Sequence, residues 1–186
     1  VGEQALQNMT AASSTDTYNI GIGYNAGLSI TTGTANAFIG GRAGDATTTG
    51  ATNTAVGTDA LSSNTTASNN VAVGYDCLVS NTSGTQNTAV GAGALDANTT
   101  AANNSAFGYN ALGANTTGAN NVGIGQFSLD ANTTGDANTA LGHNALTGNT
   151  TASKNTAVGK DALAVNTTGT ENVAVGEVAL DANTTG

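Results

Sequence analysis

The chain has 186 residues, of which 31 are Val, Ile, Leu or Phe, about 17%, a share at which chains usually stay unfolded. Yet it has no Pro and no Trp, only 8% charged residues, and is built mostly of Ala, Gly, Asn and Thr, unlike the Pro-, Lys- and Glu-rich make-up of disordered segments. A net charge of −9 with three Lys and Arg offers no basic face to phosphates, which disfavours nucleic-acid partners and anionic membrane surfaces.

The chain opens on VG without a Met and closes on NTTG, both inside a repeating pattern, and is read as a stretch of a longer protein. No apolar run is long enough to insert in a membrane. Residues 1–18 depart from the pattern: Gly2 to Gly23 spans 21 residues. An irregular first coil with a four-residue insertion is expected around Met9 to Asp16.

From Asn19 to Gly186 the chain is ten tandem repeats of seventeen residues, starting at Asn19, Asn36, Asn53, Asn70, Asn87, Asn104, Asn121, Asn138, Asn155 and Asn172. With that Asn as slot one, slot five is always Gly, as in Gly57, Gly74 and Gly91. Slot four is always a larger apolar residue, as in Val56, Val73 and Val90. Slot nine is Leu in eight repeats, as in Leu61, Leu78 and Leu95, and is Gly27 and Gly44 in the first two. Slots twelve to fourteen mostly read Asn-Thr-Thr, and slot fifteen holds only Gly or Ala.

A coiled coil needs heptads, and helical repeats need helix formers over more than about thirty residues. The remaining architecture is all-β, a parallel β-solenoid whose coils stack about 4.8 Å apart, giving a rod of roughly 50 Å. T-A-V-G reads as a short strand ending at a Gly that takes positive φ, and the following A-L pair as the start of a second strand. N-T-T-G reads as a turn, and stacked Asn side chains can hydrogen-bond from coil to coil. Slots four and nine are the expected core. Two large side chains per coil bury little, so the apolar stripe is expected to pack against copies of the chain in a homotrimer.

The phrases N-T-A-V-G and N-V-A-V-G followed by x-x-A-L resemble the head repeats of trimeric autotransporter adhesins, whose motif reads close to N-S-V-A-I-G. The longer unit, NTAVGTDALSSNTTASNNVAVGYDCL, is similar to the tandem repeats of phage tail-fibre and bacterial surface-fibre proteins. The resemblance covers Asn19 to Gly186 and implies a left-handed parallel β-roll or β-solenoid assembled as a trimer. The seventeen-residue period is longer than the usual adhesin head repeat, and no anchor, neck or chaperone sequence is present.

Candidate chemistry is sparse. His143 occupies variable slot six with no recurring partner and reads as surface decoration. Cys77 occupies slot eight, otherwise Ala or Ser, and reads as a small packed residue with no base beside it; as the only cysteine it forms no intrachain disulfide. The carboxylates of slot seven (Asp59, Asp76, Asp161) and slot ten (Asp45, Asp96, Asp130, Asp181) lack the calcium-roll nonapeptide and read as solvated charge that prevents edge-to-edge association. Asn64, Asn81, Asn98, Asn115, Asn132, Asn149, Asn166 and Asn183 match the N-glycosylation sequon; a turn followed by a Thr ladder explains the same residues. Ice binding through Thr rows is discouraged, because adjacent Thr in a strand point to opposite faces.

No cofactor site, metal site or enzyme is expected. The function that follows is the structural shaft of an extracellular homotrimeric fibre, on a virion or a bacterial surface, that presents an adhesive tip to a host-surface glycan. The alternatives are a repeat face that binds glycan or ice, and a longer filament of segments joined end to end.

Overall fold

A computed structural model describes residues 2–10 and 16–186. The chain is an all-β parallel solenoid of about nine turns with seventeen residues per turn and, among the described residues, no helix. Ten three-residue strands, β1 (Ile20–Ile22), β2 (Ala37–Ile39), β3 (Thr54–Val56), β4 (Val71–Val73), β5 (Thr88–Val90), β6 (Ser105–Phe107), β7 (Val122–Ile124), β8 (Thr139–Leu141), β9 (Thr156–Val158) and β10 (Val173–Val175), form one parallel sheet in sequence order. Each residue pairs with its equivalent seventeen positions on, so Val56 lies beside Val73 and Val73 beside Val90.

Strand alternation places slot three inward and slots two and four outward. Ala55, Ala72 and Ala89 are fully buried, whereas Val56, Val73 and Val90 are half-buried on the outer face. The expectation that slot four joins the core is therefore corrected for the single chain. The interior is narrow, since slot-three Ala faces slot-eight Ala and slot-nine Leu across it. Leu61, Leu78 and Leu95 are fully buried, as expected.

The A-L pair does not start a second strand. Ala60 and Leu61 are neighbours and both fully buried, which strand alternation forbids. A run of interlocked turns achieves it instead: the N–H groups of Ala60, Ser62 and Asn64 donate to the carbonyls of Gly57, Asp59 and Leu61 at 3.2–3.4 Å. The intervening N–H groups reach neighbouring coils, Asp59 to Gly41 and Leu61 to Cys77. These turns need positive φ in slots seven (51–66°) and nine (50–57° for Leu).

Gly in slot five has φ of 129–143°, a region open only to glycine. A Cβ on Gly57 would also lie 2.3 Å from the carbonyl oxygen of Gly74. The missing Leu of the first two repeats is replaced from slot three: Phe38 is fully buried, and a Cβ on Gly27 or Gly44 would fall within 2.9 Å of its ring.

Gly2–Thr10 stack on the first repeat, with Leu6 N–H donating to Ala26, Asn8 to Leu28 and Thr10 to Thr31. Gln4 and Leu6 carry the positive φ of slots seven and nine. The insertion expected around Met9 to Asp16 falls largely on residues 11–15, outside the described residues.

Candidate functional site

Two largely buried asparagine columns line the rod, the slot-one column that includes Asn53, Asn70 and Asn87 and runs from Asn19 to Asn172, and a slot-twelve column from Asn64 to Asn183, below Ile30 and Thr47 of the first two repeats. Each slot-one Oδ1 accepts the backbone N–H of the next slot-one Asn at 2.9–3.0 Å. Its Nδ2 donates to the slot-fifteen carbonyl of its own coil at 2.7–2.9 Å. In slot twelve, Nδ2 donates to the preceding Asn Oδ1 at 2.9–3.4 Å and to the same slot-fifteen carbonyl. That carbonyl thus spends both lone pairs on two Asn side chains, and the small slot-fifteen residue sits enclosed between them.

Glycan attachment is incompatible with this column. Asn64, Asn81, Asn98, Asn115, Asn132, Asn149 and Asn166 are fully buried, and the Nδ2 that a glycan would use is already a donor inside the rod.

The threonine rows are placed differently from expectation. Thr65 and Thr66 are both exposed because they lie in a bend, not a strand, so the argument from opposite faces is corrected. Slot-thirteen Oγ1 donates to the carbonyl of slot thirteen in the next coil at 3.0–3.4 Å. Slot fourteen faces solvent throughout.

The outer sheet face is two residues wide. Slot two holds Ile, Ala, Thr, Val or Ser, slot four only Ile, Val, Phe or Leu, and neither carries a charge in any of the ten coils. Ile39, Phe107, Ile124 and Leu141 remain 38–45% exposed there.

Charges are confined to other slots, and three ion pairs link neighbouring coils. Arg42 forms a two-pronged ion pair with Asp59, Lys154 pairs with Glu171, and Lys160 lies near both Asp161 and Glu177. Such exposed pairs contribute little stability. Burial pushes the carboxyls of Asp45, Asp96 and Asp130 up. Among the described residues, no group of three or more His, Cys, Asp or Glu could hold a metal ion.

Cys77 is fully buried and its Sγ donates to Ala89 O at 3.2 Å. Burial pushes the thiol up to about 12 from an ordinary value of 9.0. A raised thiol pKa means that the unfolded chain ionises first, so the linked stability is intact below pH 9 and is lost as pH rises towards 12. We expect thermal midpoints to fall through that window and Cys77→Ala, which restores the usual slot-eight residue, to remove the Cys-dependent part of the fall. Native protein should also resist a thiol reagent at pH 8 that labels the denatured chain.

Variable slots six and seven carry the one aromatic cluster among the described residues. Tyr109 and Phe127 meet edge to face with centroids 5.4 Å apart, and Phe127 meets His143 at 6.4 Å. His143 is therefore not an isolated decoration. Nothing in the repeat pattern flagged this group, because Phe127 in slot seven lies between Tyr109 and His143, which occupy slot six of the coils on either side. Phe127 has φ of 57° in a slot otherwise filled mainly by Asn, Asp and Gly, and a bulky residue there costs about 1–2 kcal/mol.

No protein-family model, curated protein or solved structure matches the chain.

Proposed function

We propose that the chain is the shaft of an extracellular homotrimeric fibre, on a virion or a bacterial surface, that holds an adhesive tip at a distance. The observation that carries this reading is the outer face of β1–β10, an uncharged strip ten coils long whose slot-four row is apolar in every coil. Exposed apolar surface of that extent marks an association face, and three copies meeting along one axis would cover it. Shaft function is mechanical: backbone ladders, Asn columns and Thr bonds link every coil to the next, and no reactive group is needed.

Solution mass by light scattering tests the reading. The expected mass is three times the 17.9 kDa chain, and a monomer would overturn it. Val90→Lys should shift the mass to one chain length, because a buried ammonium has no partner on that face. Thr85→Lys, on an outward slot away from the strip, should leave the trimer intact.

A second reading, ice binding, is favoured by the slot-fourteen row, which is exposed in every coil. Pitting or shaping of ice crystals by the purified protein would support it over the shaft, which leaves ice growth unchanged.

A further inference from the structure

Coils six to eight carry a surface feature that the rod does not require. Each contributes one ring and one amide from slots six and seven: Tyr109 with Asn110, Phe127 with Gln126, and His143 with Asn144. Phe127 stands between the other two rings, 5.4 Å from Tyr109 and 6.4 Å from His143. Tyr109 is 52% exposed, and Gln126 and His143 are exposed. Asn144 Nδ2 donates to Asp161 Oδ1 at 3.0 Å, which orients its Oδ1.

Contact between rings of successive coils separates this patch from ordinary surface variation. The other exposed slot-six tyrosines, Tyr24 and Tyr75, have only Gln4, Arg42, Asp59 or Gly93 in slot seven of the adjoining coils, so among the described residues only here do rings from successive coils touch. Phe127 is half-buried against those rings and adopts φ of 57° in a slot where Asn fits the backbone better, as at Asn110 and Asn144, although Arg42 and Val178 adopt the same conformation there.

We infer that this strip is a binding subsite for a linear, uncharged oligosaccharide lying along the rod. Aromatic rings present apolar faces to the C–H face of a pyranose, while amides donate to and accept from its hydroxyls. The coil rise of roughly 4.8 Å sets rings and amides at a repeat close to the length of one sugar unit in an extended chain. A phosphorylated ligand is disfavoured by the net charge of −9. This inference goes beyond the shaft reading and stands whether the rod is monomeric or trimeric.

The test retains the protein on immobilised cellotetraose, chitotetraose and maltotetraose. At least one matrix should retard the native protein, and Phe127→Asn and Tyr109→Ala should each weaken retention roughly tenfold, with Tyr24→Ala matching the native protein. Phe127→Asn should keep or raise the thermal midpoint, because Asn suits the backbone there. No retention on any of the three sugars would overturn the inference. So would a Phe127→Asn protein that binds as before, or one whose thermal midpoint drops, since that would make the rings a packing device.

Discussion

Gly108→Ala is expected to break the rod between its sixth and seventh coils. The added Cβ would lie 2.6 Å from the carbonyl oxygen of Gly125, at a φ of 138°. Both the contact and the backbone conformation are closed to an L side chain, and the oxygen cannot move aside because it belongs to the stacked backbone of the next coil. The loss should reach about 4 kcal/mol or more, among the largest for one methyl group. Since each coil contacts only its neighbours, unfolding should separate into two transitions, with hydrogen exchange accelerated first at β6 and β7. Gly41→Ala is the control: its Cβ would meet only Thr58 Cγ2, at 4.0 Å, and the change should stay within about 0.5 kcal/mol. Equal effects from the two substitutions would contradict the stacking account.

The second large effect is expected at Asn104→Ala. Asn104 Oδ1 accepts Asn121 N–H at 2.9 Å, and its Nδ2 donates to Gly118 O at 2.9 Å. Gly118 O keeps a second donor in Asn115, but Asn121 N–H is left buried without a partner. An orphaned buried donor costs about 1–3 kcal/mol, and the vacated volume adds to it, so chemical denaturation should show a loss of about 3 kcal/mol. Asn103→Ala lies one residue earlier on the exposed surface. It forfeits only the tolerance of Asn for φ of 62° and should cost about 1 kcal/mol or less.

These two sites also show what could be read before folding. The invariance of Gly108 and Asn104 in their slots follows from an interaction repeated identically at every coil, which makes the constraint visible nine or ten times within one chain. Leu112 was legible for the same reason. Phe107 and Val90 were not: their slot is as consistently apolar as that of Leu112, yet it faces outward. The contact of Tyr109 and His143 with Phe127 was not legible, because these residues break the pattern instead of repeating it.

By itself the sequence determined the period, the all-β solenoid, the turn-forming glycines and the asparagine columns, because stacking forces equivalent residues together and so selects the same residue in each coil. Only the tertiary structure decided which apolar slot faces inward. Alternation along a three-residue strand allows either Ala89 or its neighbours Thr88 and Val90 to enter. The narrow interior, already holding Ala94, Leu95 and two Asn side chains, has room for the methyl group alone. The same closure turned A-L into a run of turns and brought rings from separate coils into contact, through distances that no spacing along the chain encodes.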